Sequence, residues 1–310
     1  DLQAGDYLLL SQDVYGASMT LLQKVWSSAG VKTLLADFAD TMQIERILAK
    51  YHPKAVFFET ISNPTLKVAD GPRIVELAHA YGAQVLVDNT FGTPVLIQPI
   101  AWGVDIVLHS ATKYLGGHGD AMGGIVSVSD RKRYMPRLLE YQRLRGAVLG
   151  PFEAWLIHRG LRTLWVRMER QCASAWTIAQ ELAQRPDLFE RVHYPLLPSH
   201  PSQEVARRLL PSGQGGAVVT VDLRGDFAQA NQFLTALQLI VPAVTVGDVY
   251  SLSLYPIKTS HRNVPVEVLR QMGISEQTVR LSIGLENAQD LLKDIIEAAE
   301  KAVLATPASI

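Results

Sequence analysis

Two residue types that can do chemistry together follow two successive apolar segments of the chain. Asp88 comes directly after residues 84–87, and Lys113 comes shortly after residues 105–109. Taken alone, a lysine in such a place is usually a solvated loop charge, and an aspartate usually caps the next helix. In an open parallel sheet, however, the carboxyl ends of the strands gather at one crevice. We therefore predict that Asp88 and Lys113 face one planar ligand from different sides.

Pyridoxal 5′-phosphate (PLP) is a planar ligand that needs this pair of side chains. A lysine amine binds its aldehyde covalently, and a carboxylate keeps its pyridine nitrogen protonated. The hydroxyl residues Ser110 and Thr112 precede Lys113, and glycines follow it, which suits a phosphate group. The residues therefore favour PLP as the cofactor, and no metal site is predicted.

Strand and helix patterns that alternate along the chain predict how these residues are held. Strands are predicted at residues 6–11, 54–59, 84–87, 105–109 and 125–128, and helices at residues 19–29, 41–51 and 71–81. The nearly continuous Val, Ile and Leu content of these strands indicates a parallel sheet covered on both faces. The fold class is therefore α/β, with a mostly parallel sheet flanked by helices.

The second half of the chain has a different pattern. Long helices are predicted over residues 131–184, followed by strands at 216–223 and 240–246 and a last helix from Ala288. Strands mixed with helices in this way indicate a smaller α+β domain. We predict a large domain at residues 1–159 and a C-terminal domain at residues 160–310.

Composition narrows the class of protein further. Of 310 residues, 48% are hydrophobic and 19% charged, which is typical of a globular protein. The net charge of −1 gives no electrostatic case for binding nucleic acid or an anionic membrane. Cys172 is the single cysteine, so no disulfide can form within the chain, and a cytoplasmic location is expected.

Several segments resemble the signature segments of one enzyme family. They are DNTFGTP (88–94), HSATKYLGGHGD (109–120), SLYPIKTSH (253–261) and VRLSIGLEN (279–287). These segments are similar, in order and spacing, to those of the Cys/Met-metabolism PLP enzymes, which include cystathionine γ-synthase, cystathionine β- and γ-lyases, methionine γ-lyase and the O-acylhomoserine sulfhydrylases. The resemblance implies the fold of type I PLP-dependent transferases and a homo-oligomer, a dimer or tetramer, with shared active sites.

The resemblance also implies roles for individual residues. Lys113 would bind the cofactor and shuttle protons, Asp88 would hold the ring nitrogen, and Ser110 and Thr112 would hold the phosphate. Tyr15 would lie over the ring and protonate a departing thiolate.

The substrate would be held by three further residues. Asn63 would lie beside the cofactor and the substrate carboxylate, Ser251 would contact the substrate, and Arg280 would bind its carboxylate. Arg280 stands between strand-forming residues, where it must reach solvent or find an anion, and its planar fork suits a carboxylate.

The reaction expected from the resemblance is γ-elimination or γ-replacement on a sulfur-containing or O-acylated amino acid. Gly247 and Asp248 look more like methionine γ-lyases and O-acylhomoserine sulfhydrylases than cystathionine β-lyases, but Ala17 stands where methionine γ-lyases typically have cysteine. The nucleophile is left open.

Alternatives differ in how the chain begins and in what it catalyses. Family members have a further stretch before the point that matches Asp1, so we expect an N-terminally truncated member. The alternatives are an O-acylhomoserine sulfhydrylase, a catalytically impaired truncated member, or a different PLP enzyme of the same fold such as an aminotransferase.

Overall fold

The computed structural model describes residues 2–259 and 266–304, apart from the side chains of residues 266 and 271. Internal packing divides the chain into two units. The first unit comprises the residues up to Ser62 together with Val68–Thr163, and the second comprises Asn63–Lys67 together with the residues from Leu164 onward. The boundary between residues 159 and 160 stays a prediction about domains.

A six-stranded sheet forms the centre of the first unit. Its strands are β1 (Tyr7–Ser11), β2 (Lys32–Ala36), β3 (Ala55–Glu59), β4 (Gln84–Asp88), β5 (Ile106–Ser110) and β6 (Gly124–Val128). They lie in the order β2-β1-β3-β4-β5-β6, and every neighbouring pair is parallel except β5 with β6. The prediction of a mostly parallel sheet is confirmed, and β6 is the exception, because a glycine-rich turn and not a crossover helix joins it to β5.

Helices surround this sheet in the sequence order that the pattern predicted. They are α1 (Gly16–Thr20), α2 (Trp26–Ser28), α3 (Thr41–Tyr51), α4 (Gly71–Ala80), α5 (Thr93–Leu96), α6 (Arg131–Arg145) and α7 (Pro151–Leu161). The single helix predicted over residues 19–29 begins earlier, at Gly16, and is interrupted, because the π-helical turn Leu21–Val25 separates α1 from α2.

Local sequence explains why α4 begins where it does. The carboxylate of Asp70 accepts a hydrogen bond from the N–H of Arg73, and Pro72 occupies the first turn, where no helical N–H bond is lost. Ile74 and Ala78 of this helix are fully buried with Val85 and Val87 of β4. The apolar side of α4 therefore packs on the strand that ends in Asp88.

The second unit is built on a five-stranded sheet. Its elements are α8 (Leu164–Ala183), β7 (Phe189–His193), α9 (Gln203–Leu209), β8 (Val218–Leu223), α10 (Phe227–Ala236), β9 (Val241–Pro242), β10 (Leu252–Leu254), α11 (Val266–Met272), β11 (Thr278–Ser282) and α12 (Ala288–Val303). The strands lie in the order β7-β8-β11-β10-β9, and all neighbouring pairs are antiparallel except β9 with β10. The core lies between this sheet and α8, α10 and α12.

The strand predicted over residues 240–246 is only two residues long, Val241–Pro242. Beyond it, Val244 is 72% exposed, and the carbonyl of Thr245 accepts a side-chain hydrogen bond from Arg280. The Ala243 N–H still donates to the Ser253 carbonyl of β10 at 2.9 Å, and two residues later the backbone binds the Arg280 side chain instead. Among the described residues, no helix is both long and apolar enough to cross a membrane.

Candidate active site

The carboxyl ends of β4 and β5 bring Asp88 and Ser110 to the same face of the first sheet. In the parallel register, Asp88 is opposite Leu108, and Ser110 lies two residues further along β5. Because side chains alternate along a strand, Asp88, Leu108 and Ser110 all point to one side. The hydroxyl of Thr90 connects the two strand ends, since it accepts a hydrogen bond of 2.8 Å from the N–H of Ser110.

The carboxylate of Asp88 is held in a turn and shielded from water. Its Oδ1 accepts a hydrogen bond of 2.8 Å from the N–H of Thr90, the geometry of an Asx turn. Burial raises the pKa of Asp88, and hydrogen bonds from Thr90 oppose that rise. Within residues 2–259 and 266–304, no cationic side chain lies within ion-pair distance of this carboxylate. The site is therefore suited to a cationic group of a ligand.

Lys113 follows β5 in a short turn whose backbone conformation changes at the lysine itself. Residues Ala111–Leu115 form a π-helical turn, inside which Lys113 has φ −88° and ψ −134°. The turn is closed on both sides, because Gly116 N–H donates to the Ala111 carbonyl at 2.9 Å and Gly117 N–H donates to that of Lys113 at 2.8 Å. The lysine thus belongs to a compact turn directly after Ser110.

Thr112 ties this turn to the start of β6. Its hydroxyl accepts a hydrogen bond of 3.0 Å from the N–H of Gly123, and its own N–H donates to the Gly123 carbonyl at 3.3 Å. The hydroxyl of Ser110 makes no hydrogen bond with the part of the chain that the structure describes. Of the two hydroxyls predicted to bind a phosphate, that of Ser110 has its full capacity available.

Tyr15 lies at the N-terminus of α1, at the same edge of the sheet. Its N–H donates a hydrogen bond of 2.7 Å to Oε1 of Glu59, the last residue of β3, and Glu59 is opposite Asp88 in the register of β3 with β4. The side chain of Tyr15 is 47% exposed. Glu59 therefore positions the backbone of Tyr15 beside the strand that ends in Asp88.

Arg280 and Asn63, two of the residues predicted to bind the substrate, are in direct contact within the second unit. Arg280 is 4% exposed, and its Nη1 donates a hydrogen bond of 2.9 Å to Oδ1 of Asn63. Its Nη2 donates to the Thr245 carbonyl, also at 2.9 Å. The planar guanidinium is thus held in one orientation, and its fork of N–H donors matches the two oxygens of a carboxylate. The arrangement is therefore suited to a carboxylate ligand.

Ser251 is fully buried, and its hydroxyl already makes hydrogen bonds within the chain. The hydroxyl donates to Oε2 of Glu286 at 2.8 Å and accepts from the N–H of Gly284 at 2.9 Å, while the N–H of Ser251 donates to Oε1 of Glu286 at 2.7 Å. The proton of this hydroxyl is thus directed to Glu286. In the neighbouring SLYPIKTSH segment, the last two residues, Ser260 and His261, lie outside the described residues.

Three residues that hold the predicted site residues in place were not identified from the sequence. Thr90 connects Asp88 with Ser110, Glu286 holds Ser251, and Thr245 holds Arg280 through its carbonyl. Thr90 and Glu286 lie within the segments that resemble the family, and their side chains can form hydrogen bonds, so the sequence does contain a signal for them. The role of Thr245 depends on its backbone, so its side-chain type gave no signal.

Solved structures similar to this chain define its class. A cystathionine gamma synthase from Xanthomonas oryzae pv. oryzae, in complex with cystathionine, has a TM-score of 0.93 and 35% identity, over 98% of this chain and 78% of that one. A cystathionine gamma-lyase from Lactobacillus plantarum, complexed with L-serine, has a TM-score of 0.90 and 33% identity, with the same coverage. The fold is thus that of the fold type I PLP-dependent enzymes.

Sequence comparisons identify the family. The model of the Cys/Met metabolism PLP-dependent enzymes matches residues 2–300, so the chain belongs to this family. A cystathionine beta-lyase of Lactococcus lactis subsp. cremoris (strain MG1363) is 41% identical over 300 residues, 96% of this chain and 77% of the relative. An L-methionine gamma-lyase of Pseudomonas putida is 39% identical over 297 residues, 96% of this chain and 74% of the relative.

The residues at the ends of β4 and β5 fit the cofactor of this family. A buried carboxylate with no cationic partner among the described side chains suits a protonated ring nitrogen, and the hydroxyl of Ser110 suits a phosphate oxygen. A lysine follows three residues later in the same turn. The donor set thus contains the three kinds of group that PLP requires.

Proposed function

We propose that this chain catalyses γ-elimination or γ-replacement on a sulfur-containing or O-acylated amino acid. In γ-elimination, methionine and water give 2-oxobutyrate, ammonia and methanethiol. In γ-replacement, an O-acylhomoserine and a thiol give a thioether and the free carboxylic acid. The observation that carries this proposal is the shared face of Asp88 and Ser110, directly before Lys113, in a chain of this family.

Four residues would hold PLP, which when bound supplies an electron sink for the carbanion formed at the substrate Cα. Asp88 would bind the ring nitrogen, Ser110 and Thr112 the phosphate, and the amine of Lys113 the aldehyde carbon. The buried position of Asp88 strengthens its attraction for a cation, because little water competes with it.

Two side chains would move protons during the reaction. Nζ of Lys113 would take the proton from Cα of the substrate and return one later, and the phenol of Tyr15 would protonate the departing sulfur. The hydrogen bond from the Tyr15 N–H to Glu59 fixes the backbone of this residue, so that only its side-chain torsions need to adjust.

The α-carboxylate of the substrate would bind to Arg280. Asn63 holds one arm of the guanidinium and the Thr245 carbonyl holds the other, so the orientation of the fork is set before the substrate arrives. Ser251 would approach the substrate from a position fixed by Glu286. Orientation about Cα then decides which bond breaks.

Cleavage of cystathionine on the Cβ side is the second candidate, since the relative at 41% identity is named as a cystathionine beta-lyase. In this reaction, cystathionine and water give homocysteine, pyruvate and ammonia. The O-acylhomoserine sulfhydrylase reaction is the third. The products separate these candidates: γ-elimination gives 2-oxobutyrate, cleavage on the Cβ side gives pyruvate, and O-acetylhomoserine with sulfide gives homocysteine and acetate without a 2-oxo acid.

The experiment combines these products with a direct test of the lysine. Purified protein with PLP is assayed on methionine, cystathionine and O-acetylhomoserine with sulfide, and the cofactor is then fixed by borohydride and located by peptide mass. We expect the added mass on the peptide that contains Lys113. Lys113→Ala should lose both the added mass and turnover, whereas the exposed control Lys132→Ala should keep both. Cofactor fixed to another lysine would refute the assignment.

The chain would assemble with further copies of itself into a dimer or tetramer. Apolar side chains around α6 and α7 support this, because Leu144, Val148, Phe152 and Trp155 are each more than half exposed. Light scattering of the purified protein tests the assembly, and Trp155→Ser should shift it toward the monomer. A cytoplasmic location is supported by Cys172, the single cysteine, which is buried and reduced.

A further inference from the structure

Three buried donors hold the short segment that contains Asn63. Arg280 donates to the side chain of Asn63, the hydroxyl of Thr220 donates to the carbonyl of Pro64 at 2.7 Å, and His200 contacts the carbonyl of Thr65 through Nε2 at 3.0 Å. Arg280, Thr220 and His200 are 4%, 0% and 5% exposed. Three successive residues are thus each fixed from the second unit, to which they belong.

Thr220 lies directly beside Arg280 in the sheet. The two residues are opposite each other in the antiparallel register of β8 with β11, so their side chains share one face. One of them holds the side chain of Asn63 and the other holds the next carbonyl of the same segment. The position of Asn63 relative to the guanidinium is therefore determined by Thr220.

His200 acts as a neutral donor to this segment. Its Nδ1 accepts a hydrogen bond of 3.2 Å from the N–H of Ser202, which leaves the proton on Nε2 for the Thr65 carbonyl. Burial lowers the pKa of His200 to about 4, although the hydrogen bond with the Thr65 carbonyl opposes this fall. At neutral pH the imidazole therefore keeps this single tautomer.

We propose that Thr220 and His200 are positioning residues for the substrate carboxylate. They hold Pro64 and Thr65 so that Oδ1 of Asn63 meets Nη1 of Arg280 and fixes the plane of its fork. This inference rests on the proposed function of Arg280. Without these two bonds, the segment can move, Asn63 loses its place, and the guanidinium must be reoriented when each substrate binds.

The test compares two small amines that differ in their carboxylate. Glycine and glycinamide are titrated against the PLP-loaded protein, and binding is followed by the absorption of the bound cofactor. The ratio of the two dissociation constants measures recognition of the carboxylate. Thr220→Val should weaken the binding of glycine about 5- to 10-fold and leave that of glycinamide unchanged, whereas Thr220→Ser should restore the preference.

Matched variants exclude a general loss of structure. Thr278→Val removes another fully buried hydroxyl of the same sheet, which donates to Asp222 and not to the segment, and should keep the preference for glycine. At His200, leucine removes the donor, whereas glutamine can keep an N–H near Nε2. His200→Leu should lose the preference for glycine over glycinamide, and His200→Gln should retain most of it. This pair of variants tests the positioning role even if Thr220→Val does not fold.

Arg280→Gln distinguishes failure of the carboxylate site from failure of the positioning role. If it keeps the wild-type preference for glycine, Arg280 does not bind the carboxylate and the proposed function of this residue fails. If Arg280→Gln loses the preference but Thr220→Val and His200→Leu keep it, the carboxylate site stands and the positioning role is overturned.

Discussion

Replacing Gly160 by alanine tests how closely α7 packs against the turn that carries Lys113. A β-carbon at this position would lie 2.1 Å from the carbonyl oxygen of Gly116 and 2.8 Å from its carbon. Ordinary van der Waals contact begins at about 3.4 Å, so helix and turn must separate by roughly 1 Å. Gly116 closes that turn through its bond to Ala111, so the displacement is passed to the lysine.

Two effects of opposite sign decide the free energy of unfolding of Gly160→Ala. Alanine is favoured over glycine within a helix by about 1 kcal/mol, whereas overpacking a tight contact costs about 1–3 kcal/mol. Because the contact is with backbone, which cannot rotate away, overpacking should prevail. We expect a net loss of up to about 2 kcal/mol. Since a shift of about 1 Å misplaces a reacting group, we also expect an affinity for PLP at least roughly 10-fold lower.

Denaturant unfolding of the cofactor-free protein and titration with PLP measure these two quantities. Gly124→Ala is the matched control, because its added carbon would meet nothing nearer than the carbonyl oxygen of His109 at 3.8 Å. It should keep the affinity for PLP. A Gly160→Ala protein that is more stable than the wild type and binds PLP equally well would refute the packing argument.

Three further predictions concern buried ionisable groups. Asp88→Asn should weaken PLP binding and lower turnover by about 100-fold. It should also stabilise the cofactor-free protein, because burial of this carboxylate is unfavourable without a cation. Titration with PLP measures the first effect, and denaturant unfolding of the cofactor-free protein measures the second. Burial lowers the pKa of His109 and His200 to about 4, below the value of 6.5 expected when unfolded, so the unfolded chain binds more protons between these values. The free energy of unfolding should therefore fall, as pH falls from 6.5 to 5, by about 1.4 kcal/mol per pH unit for each histidine. Denaturant midpoints that stay constant over this range would contradict this expectation. His200→Gln should remove the part of the pH dependence that His200 contributes. Asp294→Ala should lower the free energy of unfolding by about 3 kcal/mol, because the Asp294 carboxylate accepts hydrogen bonds from three successive N–H groups at residues 238–240. Thermal unfolding measures this loss, and the exposed control Glu297→Ala should change it little.

The elements that position Asp88 and Lys113 were predictable because their signals are local. Helix α3 was predicted at its observed bounds, since Ile44, Ile47 and Leu48 repeat at helical spacing. The strands that end in Asp88 and Ser110 were predicted within one residue, because short apolar runs bounded by turn residues identify buried strands. A local pattern is sufficient for such elements.

Features that depend on distant partners were not predictable in this way. The antiparallel direction of β6 depends on its connection to β5, and the short β9 depends on how far its backbone pairs with β10. The contacts of Thr220 with Pro64 and of His200 with Thr65 join residues more than 130 positions apart, and one sequence alone contains no signal for such pairs. The residues proposed to take part in catalysis were identified from residue type and from resemblance to the family. The residues that hold them in place were identified only from the fold.

The assignment of Asn63–Lys67 to the second unit has a consequence for dividing this protein. A fragment that begins after Thr163 would keep β11 and β8 but lack the loop whose oxygens accept hydrogen bonds from Arg280, Thr220 and His200. Three interior donors would lose their acceptors at once, at about 1–3 kcal/mol each, a large fraction of the stability of a typical domain. The C-terminal half is thus not an autonomous module that could be exchanged between homologues by a single crossover; any working chimera must carry both stretches from one parent.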